Sequence, residues 1–203
     1  MKLLKNTQSG RSMVEMLGVL AIIGVLSVGG IAGYSKAMFK HKMNKTLDML
    51  SHAIAKLIEI ETSISYDRYV TSFYAENLGF DCDYNPNTER CKIPFGEFGF
   101  ELSNYSYFMV QFDGDIAQAA CFEFLSSGFY KNLPEEWWYP KGYIRVYSEE
   151  DNIFYGKSPE AIALGAKDSV NAEDISRVCN TCRDFNDGFE PSCRVVLHIK
   201  NGG

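Results

Sequence analysis

No proline occurs before Pro86 and no cysteine before Cys82. The first absence leaves nothing to break a single long helix, and the second confines any disulfide framework to the later part of the chain. From Met16 to Ser35 there is no charged residue. Positive charge is missing where a nucleic-acid surface would need it: residues 1–45 hold seven basic residues against Glu15 alone, while the whole chain has a formal net charge of −6. An acidic head behind a basic, greasy start lacks the clustered Lys and Arg that phosphate contacts require, so no nucleic-acid partner is expected. The histidines His41, His52 and His198 are scattered, and no HExxH or nucleophile setting accompanies them. No catalytic constellation and no cofactor site emerge, and the protein is expected not to be an enzyme.

At 203 residues the chain allows one domain with a real core plus an appendage. The appendage is the stretch Gly10–Ser35, GRSMVEMLGVLAIIGVLSVGGIAGYS, preceded by a short polar leader, residues 1–10, with Lys2 and Lys5. Met16 to Ser35 supplies about the twenty apolar residues a helix needs to cross a bilayer, and the leader lysines favour an N-in, C-out orientation. A secretory signal would be shorter, would not open on an acid, and would lapse into loop behind its small residues. A plain anchor leaves Glu15 without a purpose, because a carboxylate at the edge of a span is costly unless a cation pairs with it. Apolar positions continue beyond the span at Phe39, Met43, Leu47, Leu50, Ile54, Leu57 and Ile60 or Ile64, steps of three or four that mark one face of a helix. The pattern predicts a helix over 11–63, transmembrane over 16–35 and amphipathic beyond, with a globular head over 64–203.

Gly10, Arg11 and Glu15, followed by the apolar run and the long amphipathic helix, resemble the type IV prepilin signature shared by pilins and pseudopilins. The resemblance covers about the first quarter of the chain. It implies cleavage by a prepilin peptidase between Gly10 and Arg11, N-methylation of Arg11, and a role for Glu15 as the carboxylate that meets a neighbour's N-terminal ammonium during assembly. The implied partners are identical subunits in a helical filament, the peptidase, an inner-membrane assembly platform, and lipid before assembly. The implied locations are the bacterial inner membrane for the precursor and a periplasmic or cell-surface filament, a fimbrium, for the product. The family usually has Phe or Met where Arg11 stands, and many members have a proline where this chain has Ala32. The glycines Gly24, Gly29, Gly30 and Gly33 predict either local bending of the helix or close helix packing in the membrane. Within the family, a type II secretion pseudopilin or a minor tip pilin is the alternative. Outside it stand a tethered or secreted disulfide-rich binding protein and a thiol oxidoreductase.

The head reads as α+β, an antiparallel sheet laid on the helix stripe. Tyr105–Phe112, Tyr143–Ser148 and Cys193–Lys200 have strand character and Asp113-Gly114 marks a turn; Asp115–Leu125 reads either as a hairpin partner or, preferred for its steps of four at Ile116, Ala120 and Phe124, as a short helix that places Cys121 in the core. Cys82, Cys91, Cys121, Cys179, Cys182 and Cys193 are an even set suited to three bridges in an oxidising compartment. Six cysteines allow fifteen pairings. Cys82 with Cys91 is the natural local pair, and Cys182–Cys193 with Cys121–Cys179 is the preferred division of the rest.

Cys179 and Cys182 form a CxxC motif without the βαβ setting of a redox site, and with Cys193 and His198 they make a Cys3His set that suits zinc only in a reducing environment. Asp81, Asp83 and Asn85 copy the start of a calcium loop, but Pro86 and Lys92 occupy two decisive positions. Asp184, Asn186 and Asp187 form a second acidic loop, a weak calcium candidate. Trp137-Trp138-Tyr139 is either an aromatic platform or core packing.

Overall fold

The computed structural model describes residues 13–60, 79–83, 90–101, 107–133, 143–146, 152–156, 159–180, 182 and 192–198. Helix α1 runs from Met13 to Ile60 without interruption. The absence of proline permits this length, and the glycines at 29, 30 and 33 do not break it. The chain divides at His41: residues from Lys42 onward form one compact unit, so the second part of α1 belongs with the head.

In the first unit, every residue from Met13 to Ala37 is exposed. Beyond its chain neighbours and the backbone of its own helical turns, a methyl group added at Gly18, Gly24, Gly29, Gly30 or Gly33 would meet nothing within 4 Å.

In the second unit, α1 buries Met43, Thr46, Leu50, Ala53 and Ile54. Their spacing of three, four, three and one is the stripe that a 3.6-residue period lays along one face. Thr46 enters that stripe because its hydroxyl donates to the Lys42 carbonyl at 3.0 Å, which satisfies the only polar atom its burial brings inside. Lys42 Nζ lies 5.8 Å from the Phe95 ring centroid, and the His52 ring meets Phe80 at 6.5 Å.

Among the described residues, the further elements are β1 (Cys82–Asp83), β2 (Arg90–Ile93), β3 (Gly96–Glu101), β4 (Tyr107–Asp113), α2 (Ala117–Ser126), a 3-10 turn (Phe129–Asn132), β5 (Tyr143–Val146), β6 (Asn152–Phe154), α3 (Pro159–Ala163), α4 (Ala172–Cys179) and β7 (Ser192–His198). The strands form one antiparallel sheet in the order β1-β2-β3-β4-β7-β5-β6. The architecture is therefore α+β, a long apolar N-terminal helix with a small antiparallel sheet and disulfides. Turn chemistry fits the register. Gly114 adopts φ +77° behind Asp113, and Gly96 packs so closely on β4 that a Cβ would stand 2.0 Å from the Gln111 carbonyl oxygen.

Register sorts the sheet into two faces. Phe98, Val110, Val195 and Val146 stand opposite one another across β3, β4, β7 and β5, and Phe108, Leu197, Ile144 and Ile153 form the next row; all eight are buried. Aromatic rings continue the core from strand to helix: Phe80 on Phe98, Phe98 on Phe108, Phe108 on Phe129, Phe129 on Phe124 and Phe124 on Phe112, with centroids 5.2 to 6.3 Å apart. Edge-to-face and tilted pairs of this kind add about 0.5 to 1.5 kcal/mol each beyond their burial. The opposite face is mixed: the register pair Gln111 and Arg194 stands on it next to the pair Met109 and Val196, both buried.

Candidate functional site

Among the described residues, the exposed segment of α1 and the sulfur chemistry of the head carry more than packing. In the first, Glu15 lies in the first turn of α1, where the helix dipole favours a carboxylate. Behind it comes a surface of Met16, Leu17, Val19, Leu20, Ile22, Ile23, Val25, Leu26, Val28 and Ile31, each more than half exposed. Ser27 returns its hydroxyl to the Ile23 carbonyl at 2.7 Å, so the one hydroxyl in the middle of the run is satisfied inside the helix. The stretch is long and apolar enough to cross a membrane. Gly10 and Arg11 lie outside the described residues.

The head holds three disulfides: Cys82–Cys91, Cys121–Cys179 and Cys182–Cys193. The first joins β1 to β2 across a register pair. The second ties α2 to the end of α4, and the third ties the residue three beyond α4 to β7. Cys179 and Cys182 are therefore partners of other residues, not of each other, and the CxxC motif is not a redox pair in this state. The Cys3His set is dissolved for the same reason, since a metal takes thiolates and these sulfurs are bridged. The sulfurs of Cys121, Cys182 and Cys193 nevertheless lie within 4.8 Å of one another.

The first calcium motif is occupied by its own chain. Lys92 Nζ sits 3.1 Å from Asp81 Oδ2, and the Lys92 amide donates to the Asp81 carbonyl at 2.8 Å. The cation that the motif would need is thus the lysine standing where a calcium ligand belongs. Asn85, the loop with Asp184, Asn186 and Asp187, and the Trp137-Trp138-Tyr139 cluster lie outside the described residues.

Two polar arrangements were not anticipated by the motifs. On the face of the sheet that carries Met109 and Val196, the side-chain oxygen of Gln111 accepts from Arg90 Nη1 at 3.1 Å and from Arg194 Nε and Nη2 at 3.2 and 3.0 Å, while its Nε2 donates to Asp113 Oδ1 at 2.9 Å. Arg90 also pairs with Glu97. One amide thereby joins side chains from β2, β4 and β7, a contact that no single strand's sequence announces. The second arrangement caps α4. Asn171 accepts from the Asp174 amide at 2.8 Å, and the Asp174 carboxylate, 9% exposed, takes Lys167 Nζ at 2.6 Å. Hydrogen bonds from Lys167 hold the Asp174 carboxyl below its ordinary value, against the opposing effect of burial. This clasp had a signal in the sequence: Asn171 followed by Glu173 and Asp174 is an N-cap with acids in the first turn. Nearby, burial pushes the Tyr130 phenol up, and the ring packs edge-on to Tyr155 at 4.8 Å.

No family model, curated protein or solved structure matches this chain.

Proposed function

We propose that the chain is a type IV pilin-like structural subunit, cleaved after Gly10 at the inner membrane and assembled through α1 into a cell-surface filament. The observation that carries this reading is the apolar surface from Met16 to Ser35, exposed throughout and headed by Glu15 in the first turn. A helix apolar on every side is stable only in lipid or against other helices. The two settings follow in sequence: lipid before assembly, and the corresponding helices of identical subunits afterwards. Cleavage before Arg11 creates an α-ammonium four residues from Glu15, and in an apolar medium a carboxylate selects such a cation in a neighbouring copy. The pairing fixes register as well as affinity, because a misaligned copy leaves both charges desolvated and unpaired. The exposed glycines, with open space around each, let such helices approach closely. Meanwhile the head, stapled by three disulfides, suits the oxidising exterior that the filament would face.

The test is the N-terminus of the mature protein. Expression together with a prepilin peptidase and its methylase, followed by intact mass and N-terminal sequencing, should give a chain beginning at methylated Arg11. A start near Ile31 to Tyr34, or an uncut Met1, overturns the reading.

A further inference from the structure

Two of the three disulfides stand side by side. Cys121 and Cys179 belong to one bridge and Cys182 and Cys193 to the other, yet the Cys121, Cys182 and Cys193 sulfurs all lie within 4.8 Å of one another. The exposures are unequal: Cys121, Cys179 and Cys193 are buried, and Cys182 is half-buried. Cys179 and Cys182 are also held close along the chain, because the Cys182 amide donates to the Cys179 carbonyl at 3.2 Å. The Cys82–Cys91 bridge stands apart on the outer strands β1 and β2.

We propose that these two bridges form a thiol-triggered exchange unit with a second covalent state, Cys121–Cys193 together with Cys179–Cys182. The trigger is a small monothiol such as glutathione. Its thiolate attacks Cys182 Sγ, the accessible sulfur, forming a mixed disulfide and expelling the Cys193 thiolate. Cys193 then attacks Cys121 Sγ, its neighbour within 4.8 Å, forming Cys121–Cys193 and expelling the Cys179 thiolate. Cys179 attacks Cys182 Sγ across the turn, closes Cys179–Cys182 and expels the monothiol. Three bonds form and three break, no electrons are gained or lost, and the thiol returns unchanged. The proximity of the sulfurs makes the two internal steps unimolecular, which removes the cost of bringing the reactants together.

The two states differ in what they tie down. In the first, Cys182–Cys193 closes residues 183–191 into a ring, and Cys121 holds α2 to α4. In the second, the ring is open and Cys121 holds α2 to β7. The ring that opens includes Asp184, Asn186 and Asp187, so the exchange acts on that acidic loop and leaves the Cys82–Cys91 loop closed. The inference concerns the head and does not depend on pilus assembly.

The test uses the full chain with substoichiometric glutathione, quenched by alkylation at intervals and mapped by mass spectrometry without reduction. Peptides joined through Cys121–Cys193 and Cys179–Cys182 should rise together, to more equivalents than the glutathione added, while Cys82–Cys91 stays intact. In the Cys179→Ser variant the Cys121 thiol starts free, and alkylation should find the free thiol shared between Cys121 and Cys182. Unchanged pairing in both proteins overturns the proposal. So does a rise of free thiols without new bridges, or scrambling that includes Cys82 or Cys91.

Discussion

Lys167 grips both carboxylate oxygens of Asp174 at 2.6 Å while its own backbone amide donates to the Phe154 carbonyl at 2.9 Å. One residue thereby joins the edge strand β6 to the first turn of α4. The Asp174 carboxylate is nearly buried and Lys167 is half exposed, so solvent screening reduces the pair's contribution below that of a fully buried one.

Because the folded state holds the Asp174 carboxyl below its ordinary value, the stability it contributes is present in full above the ordinary carboxylate range. It is lost as pH falls through the folded value. Thermal melts of wild type and Asp174→Asn should therefore differ by several degrees at pH 7 and converge toward pH 3. A constant gap across that range would show that the effect is packing and not charge. Lys167→Met should cost more than the double variant with Asp174→Asn, since the single change leaves the nearly buried carboxylate to Arg177 at 3.7 Å.

Gly96→Ala should damage the head more than any exposed glycine does. A Cβ there meets the Gln111 carbonyl oxygen at 2.0 Å and the residue's φ of +152° disfavours a side chain. Urea unfolding should register a loss of about 2 kcal/mol or more, as expected for steric strain that the β3–β4 ladder cannot relieve. Gly24→Ala, with nothing within 4 Å, should leave the same curve unmoved.

Phe124 is fully buried between Phe112 and Phe129, whereas Ile23 is 53% exposed. Phe124→Ala should lower the unfolding free energy by about 3 to 5 kcal/mol through the cavity it leaves. Ile23→Ala should not change head stability, and its effect should appear only where α1 is embedded in lipid or in an assembly. Equal losses in both would mean that α1 is covered by the head.

Glu15→Ala and Glu15→Gln should leave cleavage at Gly10 intact and abolish or sharply reduce filaments, as seen by electron microscopy of sheared cell-surface material. Normal filaments from both variants would remove Glu15 from the assembly mechanism.

Much of the architecture was legible because hydrophobic period is a local signal. The stripe through Met43, Leu50 and Ile54 predicts the buried side of α1, and these residues are buried. Tyr105–Phe112 contains most of β4, and the stretch from Asp115 contains α2 with Cys121 inside. The β2–β3 hairpin escaped because its strands, RCKI and GEFGFE, carry Gly96 and Gly99 and few branched residues. Their pairing rests on Cys91 and Phe98 meeting across the register, which is a tertiary fact. Helix α4 was missed for another reason. It is short and charged, and its burial depends on Ile175, Val178 and Cys179 finding α2 and the sheet. The Gln111 contacts were beyond reach, because Arg90 and Arg194 lie 21 and 83 residues away from it.

Strand β7 sits between β4 and β5, although it is the last of the seven in chain order. Until Ser192–His198 is delivered, β1 to β4 and β5 to β6 are two fragments with bare edges and no shared ladder. A nascent chain therefore holds a complete apolar N-terminal helix long before it can hold a finished head. Under the proposed C-out topology, this order keeps the passenger pliable during transit and postpones closure to the far side. It also places the hazard of misassembly in that interval, where the waiting edges of β4 and β5 are open to the wrong partner.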